Sequence, residues 1–226
     1  MPMKESGPAR MREIDRYDGG VGWIAYPEER MGRASHAVVG ENGGVWVLDP
    51  VDADGVDALL SEYGDLAGVV VLLDRHKRDA AAIARRHDVS VYVPDWMSGV
   101  ASELDAPIER VHVDLGDSGF GIHKLIDNPL WQEAALYGEH DGTLVVPEAL
   151  GTVEYFTAGD ATLGVHPALR LKPPRTLRRF TPERLLVGHG EGVLQDAAKE
   201  ISDALDRSRR SAPRLYAQTA RSMLLG

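Results

Sequence analysis

Cysteine is absent from the 226 residues of this chain. Its absence excludes disulfide bonds, thiolate metal ligands and a cysteine nucleophile. Any metal site must therefore use histidine, aspartate or glutamate side chains. A chain without disulfides also fits a reducing compartment, and we expect the protein to be cytoplasmic.

Long apolar runs are also missing, and none approaches the length needed to cross a membrane. The first residues are charged and carry no apolar signal segment. The formal net charge of −10 argues against general affinity for nucleic acid or for an anionic membrane. We therefore expect no nucleic-acid and no membrane partner. A small-molecule substrate or anion of unknown identity, and a homo-oligomer, remain open.

Several catalytic and nucleotide-binding motifs are absent too. The sequence contains no Gly-x-Ser-x-Gly elbow, which leaves a serine hydrolase without support. It has no phosphate-binding loop ending in Lys-Ser or Lys-Thr, and no Gly-x-Gly-x-x-Gly after a strand. Binding of a nucleotide through one of these loops is therefore not expected.

What is present is the composition of a globular protein, with 43% hydrophobic and 27% charged residues. We expect residues 1–15 to form a disordered lead. The remainder, residues 16–226, has the length of a single domain with a substantial core.

The first half of the chain reads as strands and helices in alternation. "SHAVVG" and "VWVLD", separated by "ENGG", predict a hairpin. A helix follows in "ADGVDALLSEYG", where apolar residues recur at helical spacing before a glycine. Then come a strand at 68–73, a loop at 74–79, a helix at about 79–87 and a strand at 89–93. Strand, helix and strand in this order predict an α/β unit.

The second half contains short alternating runs that predict an antiparallel β half: "IERVHVD", "GFGIHKLI", "EAALYGE" and "GTLVVPEAL". An amphipathic helix is expected at about 194–209, and another helix begins at Pro213. Two groups of strands with helices between and after them predict an α/β (α+β) sandwich with helices outside.

The loop "DRHKRD", residues 74–79, is the most unusual stretch, because six polar side chains follow an apolar strand. It reads either as a solvated loop in which an aspartate caps the next helix, or as a site at the C-terminal end of a strand.

These features together resemble the metallo-β-lactamase fold superfamily over about residues 20 to 210. The shared pattern is a hairpin ending in Asp-Pro, a helix, a strand with a His/Asp-rich loop before a helix, and a late Gly-His-Gly. The resemblance implies a four-layer αββα sandwich. Most members of the superfamily are hydrolases with one or two metal ions, usually zinc. Their ligands are a His-x-His-x-Asp-His loop, a mid-chain His, an Asp after a strand and a last His.

Within the loop, the resemblance puts Asp79 at the aspartate position of the metal motif. Arg75 and Lys77 stand where two histidines are expected, and Ala80 replaces the histidine that follows. Protonated Arg and Lys have no lone pair for a metal, so a dinuclear site is not expected. His76 lies one place out of register and would face the metal only after a shift of the loop.

The remaining ligand positions are spread along the chain. His189 in "GHG" takes the last histidine position, and Glu148 takes that of the aspartate after a strand. No mid-chain histidine is found, and Asn128 is the nearest polar substitute. Asp49 in "VLDP" resembles a buried supporting aspartate. Asp74 and His166 complete the residues that we expect around the pocket.

Two functions follow from this partial match. In the first, Asp79, Glu148 and His189 hold one zinc, manganese or iron ion, with His76 as a fourth ligand. His76 and Asp79 are then the catalytic residues of a hydrolase for esters, lactones, thioesters or phosphoesters.

In the second, no metal is bound and the protein is not a catalyst. Arg75 or Lys77 pairs with Asp79 and Glu148, and the pocket binds a small anion or a protein partner. The sequence leaves both functions open.

Overall fold

A seven-stranded sheet forms the first half of the protein. The structure, a computed structural model, describes residues 2–7 and 9–225, with side chains described as far as Arg221. The strands follow chain order across the sheet: β1 Arg12–Tyr17, β2 Gly20–Ile24, β3 Ala34–Val39, β4 Val45–Leu48, β5 Leu66–Val70, β6 Val91–Pro94 and β7 Ile108–Val111. Strands β1 to β4 are antiparallel, which confirms the predicted hairpin as β3–β4, whereas β4 to β7 are parallel.

Three short helices connect the parallel strands of this sheet: α1 Val56–Ser61, α2 Ala80–Arg86 and α3 Ser98–Ala101. Each turns its apolar residues inward, as Leu60, Ile83 and Val100 show by their burial in the core shared with the sheet. Helices α1 and α2 match those predicted after the Asp-Pro hairpin and after the loop 74–79, whereas α3 was not predicted.

The second sheet has four strands in the order β13-β10-β9-β8: β8 Phe120–Asn128, β9 Trp131–Gly138, β10 Thr143–Val146 and β13 Arg184–Val187. Between β10 and β13 the chain forms a two-stranded ribbon of β11 Leu150–Gly151 and β12 Gly164–Val165. Two 3₁₀ turns follow at Pro167–Leu169 and Arg175–Arg179, and the last helix is α4 Ala197–Leu225.

The layers stack as helices, sheet, sheet and helix. One core cluster joins the first sheet and its helices to the inner face of the second sheet, where Leu136 and Val145 are buried. A second cluster packs the other face of that sheet against α4 through Leu185, Ile201 and Leu205. This arrangement confirms the predicted αββα sandwich.

Three boundaries differ from the prediction. "IERVHVD" supplies β7, which pairs parallel to β6 in the first sheet and so does not belong to the antiparallel half. The two predicted C-terminal helices are one helix with Pro213 inside it, because Ala212 and Leu215 bury the same face that Ile201 begins. Strand β1 begins at Arg12, within the predicted lead. The division into a disordered lead and one domain stays a prediction.

Among the residues that the structure describes, no helix combines the length and the apolar character that a membrane crossing requires.

Candidate metal centre

The candidate site lies where parallel strands of both sheets end. Strand β4 leads into Asp49, and β5 leads through an apolar extension into the loop 74–79. In the second sheet β10 leads to Glu148 and β13 leads to His189. Because each pair of strands is parallel, the C-terminal ends lie at one edge, where loops carry functional side chains.

Three of the predicted residues meet at this edge. The ligand atoms of His76, Glu148 and His189 all lie within 4.8 Å of one another. The three residues are buried, with exposed fractions of 6%, 8% and 3%. This cluster is the candidate metal centre.

His189 presents one ring nitrogen to the cluster without a partner. Its Nδ1 lies 2.9 Å from the carbonyl oxygen of Met31, so Nδ1–H donates and Nε2 keeps its lone pair. Nε2 is buried and has no hydrogen-bond partner among the described residues. Burial, reinforced by the charge of Arg78, lowers the pKa of His189 to about 3. The neutral imidazole therefore offers a free lone pair in the cluster.

The glycines on either side of His189 are required by close backbone approach. A side chain at Gly188 would put a Cβ 2.2 Å from the carbonyl oxygen of Pro147. Gly190 has a φ of 96°, in the left-handed region that favours glycine. The Gly-His-Gly motif thus fixes the position of the histidine between the ends of β10 and β13.

His76 is held by an acid on one side and by a cation on the other. Its Nδ1 lies 3.2 Å from Oδ2 of Asp49, and its Nε2 lies 3.3 Å from Nη2 of Arg78. Nδ1–H therefore donates to Asp49, and Nε2 accepts weakly from Arg78. Burial and then the charge of Arg78 hold the pKa of His76 well below its ordinary value. Burial raises the pKa of Asp49 to about 7, which the positive charge of Arg78 opposes.

A turn explains why His76 faces the cluster from an out-of-register position. The N–H of His76 donates to the carbonyl of Leu73 at 2.9 Å, and that of Asp74 donates to Gln132 on β9 at 3.0 Å. The chain therefore turns sharply after the strand, and this turn is the shift of the loop that the sequence required.

Arg78 is a site residue that the sequence analysis missed. Its guanidinium donates to the carbonyl oxygens of Ala34 at 2.6 Å, Asp49 at 2.7 Å and Gly188 at 3.3 Å. Burial lowers its pKa to about 10, so it stays charged. Arg78 joins loops from both sheets beneath His76, and nothing in the sequence separates it from the neighbouring Arg75 and Lys77.

Glu148 is paired with Arg75. Nε of Arg75 donates to Oε2 of Glu148 at 2.7 Å, and its guanidinium lies 4.1 Å from the ring centre of Trp131. The backbone of Glu148 is fixed by a second missed residue, Glu133, whose Oε1 accepts from the N–H groups of Glu148 at 2.7 Å and Ala149 at 2.8 Å. Burial raises the pKa of Glu133 to about 7 against these donors. The one signal for it in the sequence is an acid inside an apolar strand.

His166 approaches the other oxygen of Glu148. Its Nε2 lies 3.7 Å from Oε1, and its Nδ1 accepts from the N–H of Ala168 at 3.2 Å. Nε2 therefore carries the proton of the neutral ring. Burial lowers the pKa of His166 to about 4. Its ring meets that of Trp131 edge to face at 4.8 Å, which adds to an aromatic side of the site.

Four predicted residues lie outside the cluster. The carboxylate of Asp79 accepts from the N–H of Asp52 at 2.8 Å, and that of Asp74 accepts from Gln132 at 2.8 Å. Lys77 bonds the carbonyl of Asp74 at 2.8 Å and pairs with an exposed glutamate. Asn128 is the exposed last residue of β8. The structure therefore does not bring these side chains to His76, Glu148 and His189.

The cluster fits one metal ion. Both histidines have Nδ1–H bound to an oxygen and Nε2 directed into the cluster, which is how metal-binding histidines are usually oriented. Two histidines and one carboxylate form a donor set of catalytic zinc and of iron(II) sites. Arg78 adds a fixed positive charge beside His76, which disfavours a second cation.

Comparison with known proteins shows the fold. The sequence matches no family model and no curated protein. A metallo-β-lactamase from Pontibacter korlensis superimposes with a TM-score of 0.63 at 12% identity, over 87% of this chain and 99% of the other. The metal-soaked flavodiiron core of Flv1 from Synechocystis gives 0.62 at 12% identity, over 90% and 62%.

The chain has the metallo-β-lactamase fold. A third structure, rubredoxin oxygen:oxidoreductase from Desulfovibrio gigas, agrees at a TM-score of 0.59 and 14% identity, covering 80% of this chain and 53% of the other. The resemblance read from the Asp-Pro hairpin, the charged loop and Gly-His-Gly is confirmed at the level of fold. Within the metallo-β-lactamase fold of this chain, the assignment of individual ligands stays a prediction.

Proposed function

We propose that the protein is a metal-dependent hydrolase with a single ion held by His76, Glu148 and His189. The observation that carries the proposal is Nε2 of His189, a buried lone pair without a partner among the described residues. An unpaired buried polar atom costs free energy. A cation between the three ligand atoms would remove this cost, which would explain why Nε2 of His189 is buried without a hydrogen-bond partner among the described residues.

A zinc, manganese or iron(II) ion in this position lowers the pKa of a coordinated water and so supplies a nucleophile at neutral pH. The protein's own residues provide the rest. Asp49 and the carbonyl of Met31 fix the two imidazoles, and Glu133 fixes the backbone of Glu148. This preorganisation suits hydrolysis of an ester, lactone, thioester or phosphoester.

Three rings line the site beside its proposed ligands. Phe156 stacks on His189 with ring centres 5.4 Å apart, and Trp131 meets His166 edge to face at 4.8 Å. His166 directs an N–H toward Glu148 from the same side. A neutral donor there can hydrogen-bond a substrate oxygen without itself changing charge, because the pKa of His166 lies near 4.

Metal content measured by elemental mass spectrometry tests the proposal, on protein purified without chelator. We expect about one ion per chain in the wild type and a loss of most of it in His189→Ala. His112→Ala, at a histidine side chain that is 85% exposed, is the matched control and should keep the ion. Full metal content in His189→Ala would contradict the assignment.

A second candidate function is metal-free binding of a small anion. Two contacts favour it: the 2.7 Å bond from Arg75 to Glu148 and the 3.3 Å contact from Arg78 to His76. In this state two guanidinium groups donate to Oε2 of Glu148 and Nε2 of His76, the atoms that would otherwise bind a metal. Wild-type protein without bound metal, after incubation with zinc, manganese and iron(II) in turn, would favour this candidate.

A further inference from the structure

We infer that Arg75 selects substrates that carry an anionic oxygen group, a carboxylate or a phosphate. The inference rests on the proposed hydrolase and names its substrate class. It depends on how Arg75 is held, on which of its donors are in use, and on the charges that remain when Glu148 binds an ion.

Arg75 is fixed on one face and open at its edge. Its guanidinium lies over the ring of Trp131 at 4.1 Å, and Nε1 of that indole donates to buried Glu133 at 2.7 Å. Stacking on an anchored ring restricts the guanidinium to one plane. The Arg75 side chain is nevertheless 39% exposed, compared with 11% for Glu148. Its edge is therefore accessible from solvent at the rim of the site.

The donors of Arg75 are only partly used. Nε donates to Glu148 at 2.7 Å, and Nη1 reaches Asp74 at a long 3.4 Å. Among the residues that the structure describes, Nη2 makes no hydrogen bond. A guanidinium has five N–H donors in a planar fork that matches a carboxylate or phosphate with two parallel bonds. Arg75 retains most of that capacity.

Metal binding would weaken the pairing between Arg75 and Glu148. Glu148 as a ligand shares its negative charge with the ion, so the charge of Arg75 is less fully balanced by Glu148 and by the long 3.4 Å contact with Asp74. Lys77 shows the contrast: its ammonium bonds a backbone carbonyl at 2.8 Å and an exposed glutamate at 3.1 Å, both away from the cluster. Arg75 is thus a partly exposed cation at the rim of the site with N–H donors to spare for an anion, in a protein whose net charge is −10.

Paired substrates of equal length test this selection. Mono-4-nitrophenyl adipate carries a terminal carboxylate, whereas 4-nitrophenyl hexanoate does not. We expect Arg75→Gln to lower the ratio of kcat/KM for adipate over hexanoate by about 10- to 100-fold, the range for a charge-assisted hydrogen bond. Arg75→Lys should restore part of the ratio. Arg85→Gln, at an exposed surface arginine, should leave it at the wild-type value.

Binding of inorganic phosphate gives a readout without turnover. Calorimetry on the metal-loaded wild type should detect phosphate, and Arg75→Gln should weaken that binding by a similar factor. An equal loss for both esters, or phosphate binding that is unchanged in Arg75→Gln, would overturn the inference. Wild-type protein that binds metal and hydrolyses the hexanoate and adipate esters equally well would overturn the role of Arg75 in selection. The proposed hydrolase would stand. Absence of metal with phosphate bound through Arg75 would instead overturn the hydrolase and leave the anion site.

Discussion

The two halves of the chain build two different sides of the candidate site. The first half supplies a floor of Asp49, His76 and Arg78, in which polar groups face one another. The second half supplies a wall, which consists of Trp131, Glu148, Phe156, His166 and His189. The wall is largely aromatic, and it holds Nε2 of His189, which is buried and has no hydrogen-bond partner among the described residues. The polar groups of the floor are therefore paired within the protein, whereas the wall keeps one buried ring nitrogen unpaired.

Removal of the cation of the floor, in Arg78→Ala, should lower the free energy of unfolding more than the other substitutions in this comparison. The substitution removes the guanidinium that donates to three carbonyl oxygens and that faces Asp49. Of these oxygens, that of Gly188 keeps the N–H of Ala34 as a donor at 3.0 Å, and that of Asp49 keeps the hydroxyl of Ser35 at 3.3 Å. We expect the free energy of unfolding to fall by about 3 to 5 kcal/mol, as for one partner removed from a buried ionic group. Urea denaturation followed by circular dichroism measures the change.

Two further variants keep this test decisive. Arg78→Lys retains a charge but cannot reach three carbonyls at once, so its loss of stability should be smaller than that of Arg78→Ala. Arg85→Ala removes an exposed arginine and should cost less than about 1 kcal/mol. A loss of that small size in Arg78→Ala would mean that the floor is not held by its cation.

The fold could be predicted because its signals are local and repeated. The Asp-Pro hairpin, the α/β unit around residues 68–93 and Gly-His-Gly are each common, but together they follow the order and spacing of the metallo-β-lactamase fold. Placement of "IERVHVD" could not be predicted in the same way. Its alternation shows a half-buried strand, but the strand it pairs with depends on the crossover through α3.

The site was predictable only in part, for a related reason. His189 and Glu148 follow strands whose direction fixes where they end. His76, Lys77 and Arg78 share one loop, and which of them faces the cluster depends on a turn after Leu73 and on a positive φ of 39° at Arg78. Neither the turn nor the positive φ can be read from the sequence, because the loop 74–79 contains no glycine to mark them. The role of Glu133 could not be predicted, because it depends on the N–H groups of Glu148 and Ala149, which only the fold brings to its carboxylate.

The wall can be tested through pH, because His166 is buried neutral. Its pKa lies near 4 in the folded protein, against an ordinary value of 6.5. Between these values the unfolded chain binds a proton that the folded chain does not. The free energy of unfolding therefore falls as the pH is lowered through this window, by at most about 1.4 kcal/mol per pH unit. His166→Asn should lack this contribution.

Urea denaturation of chelator-treated protein between pH 4 and 7 gives the comparison, since removal of metal keeps its binding from adding a second pH dependence. The amide oxygen that His166→Asn introduces can still accept from the N–H of Ala168, so the 3₁₀ turn keeps its cap. His140→Asn, at an exposed histidine, should follow the wild type. If His166→Asn also followed it, the wall would not be holding this ring neutral.

The smallest effect is expected at Lys77, which precedes Arg78 and belongs to neither side of the site. Its side chain is 27% exposed, and its partner Glu103 is 60% exposed. Such pairs contribute little, so Lys77→Ala should change the free energy of unfolding by less than about 1 kcal/mol and leave metal content unchanged. Both are measured beside Arg78→Ala. A large loss at Lys77 would show that charge anywhere in this loop supports the site. A large loss at Arg78 alone would show that the floor depends on Arg78, whose guanidinium bonds backbone groups of both sheets.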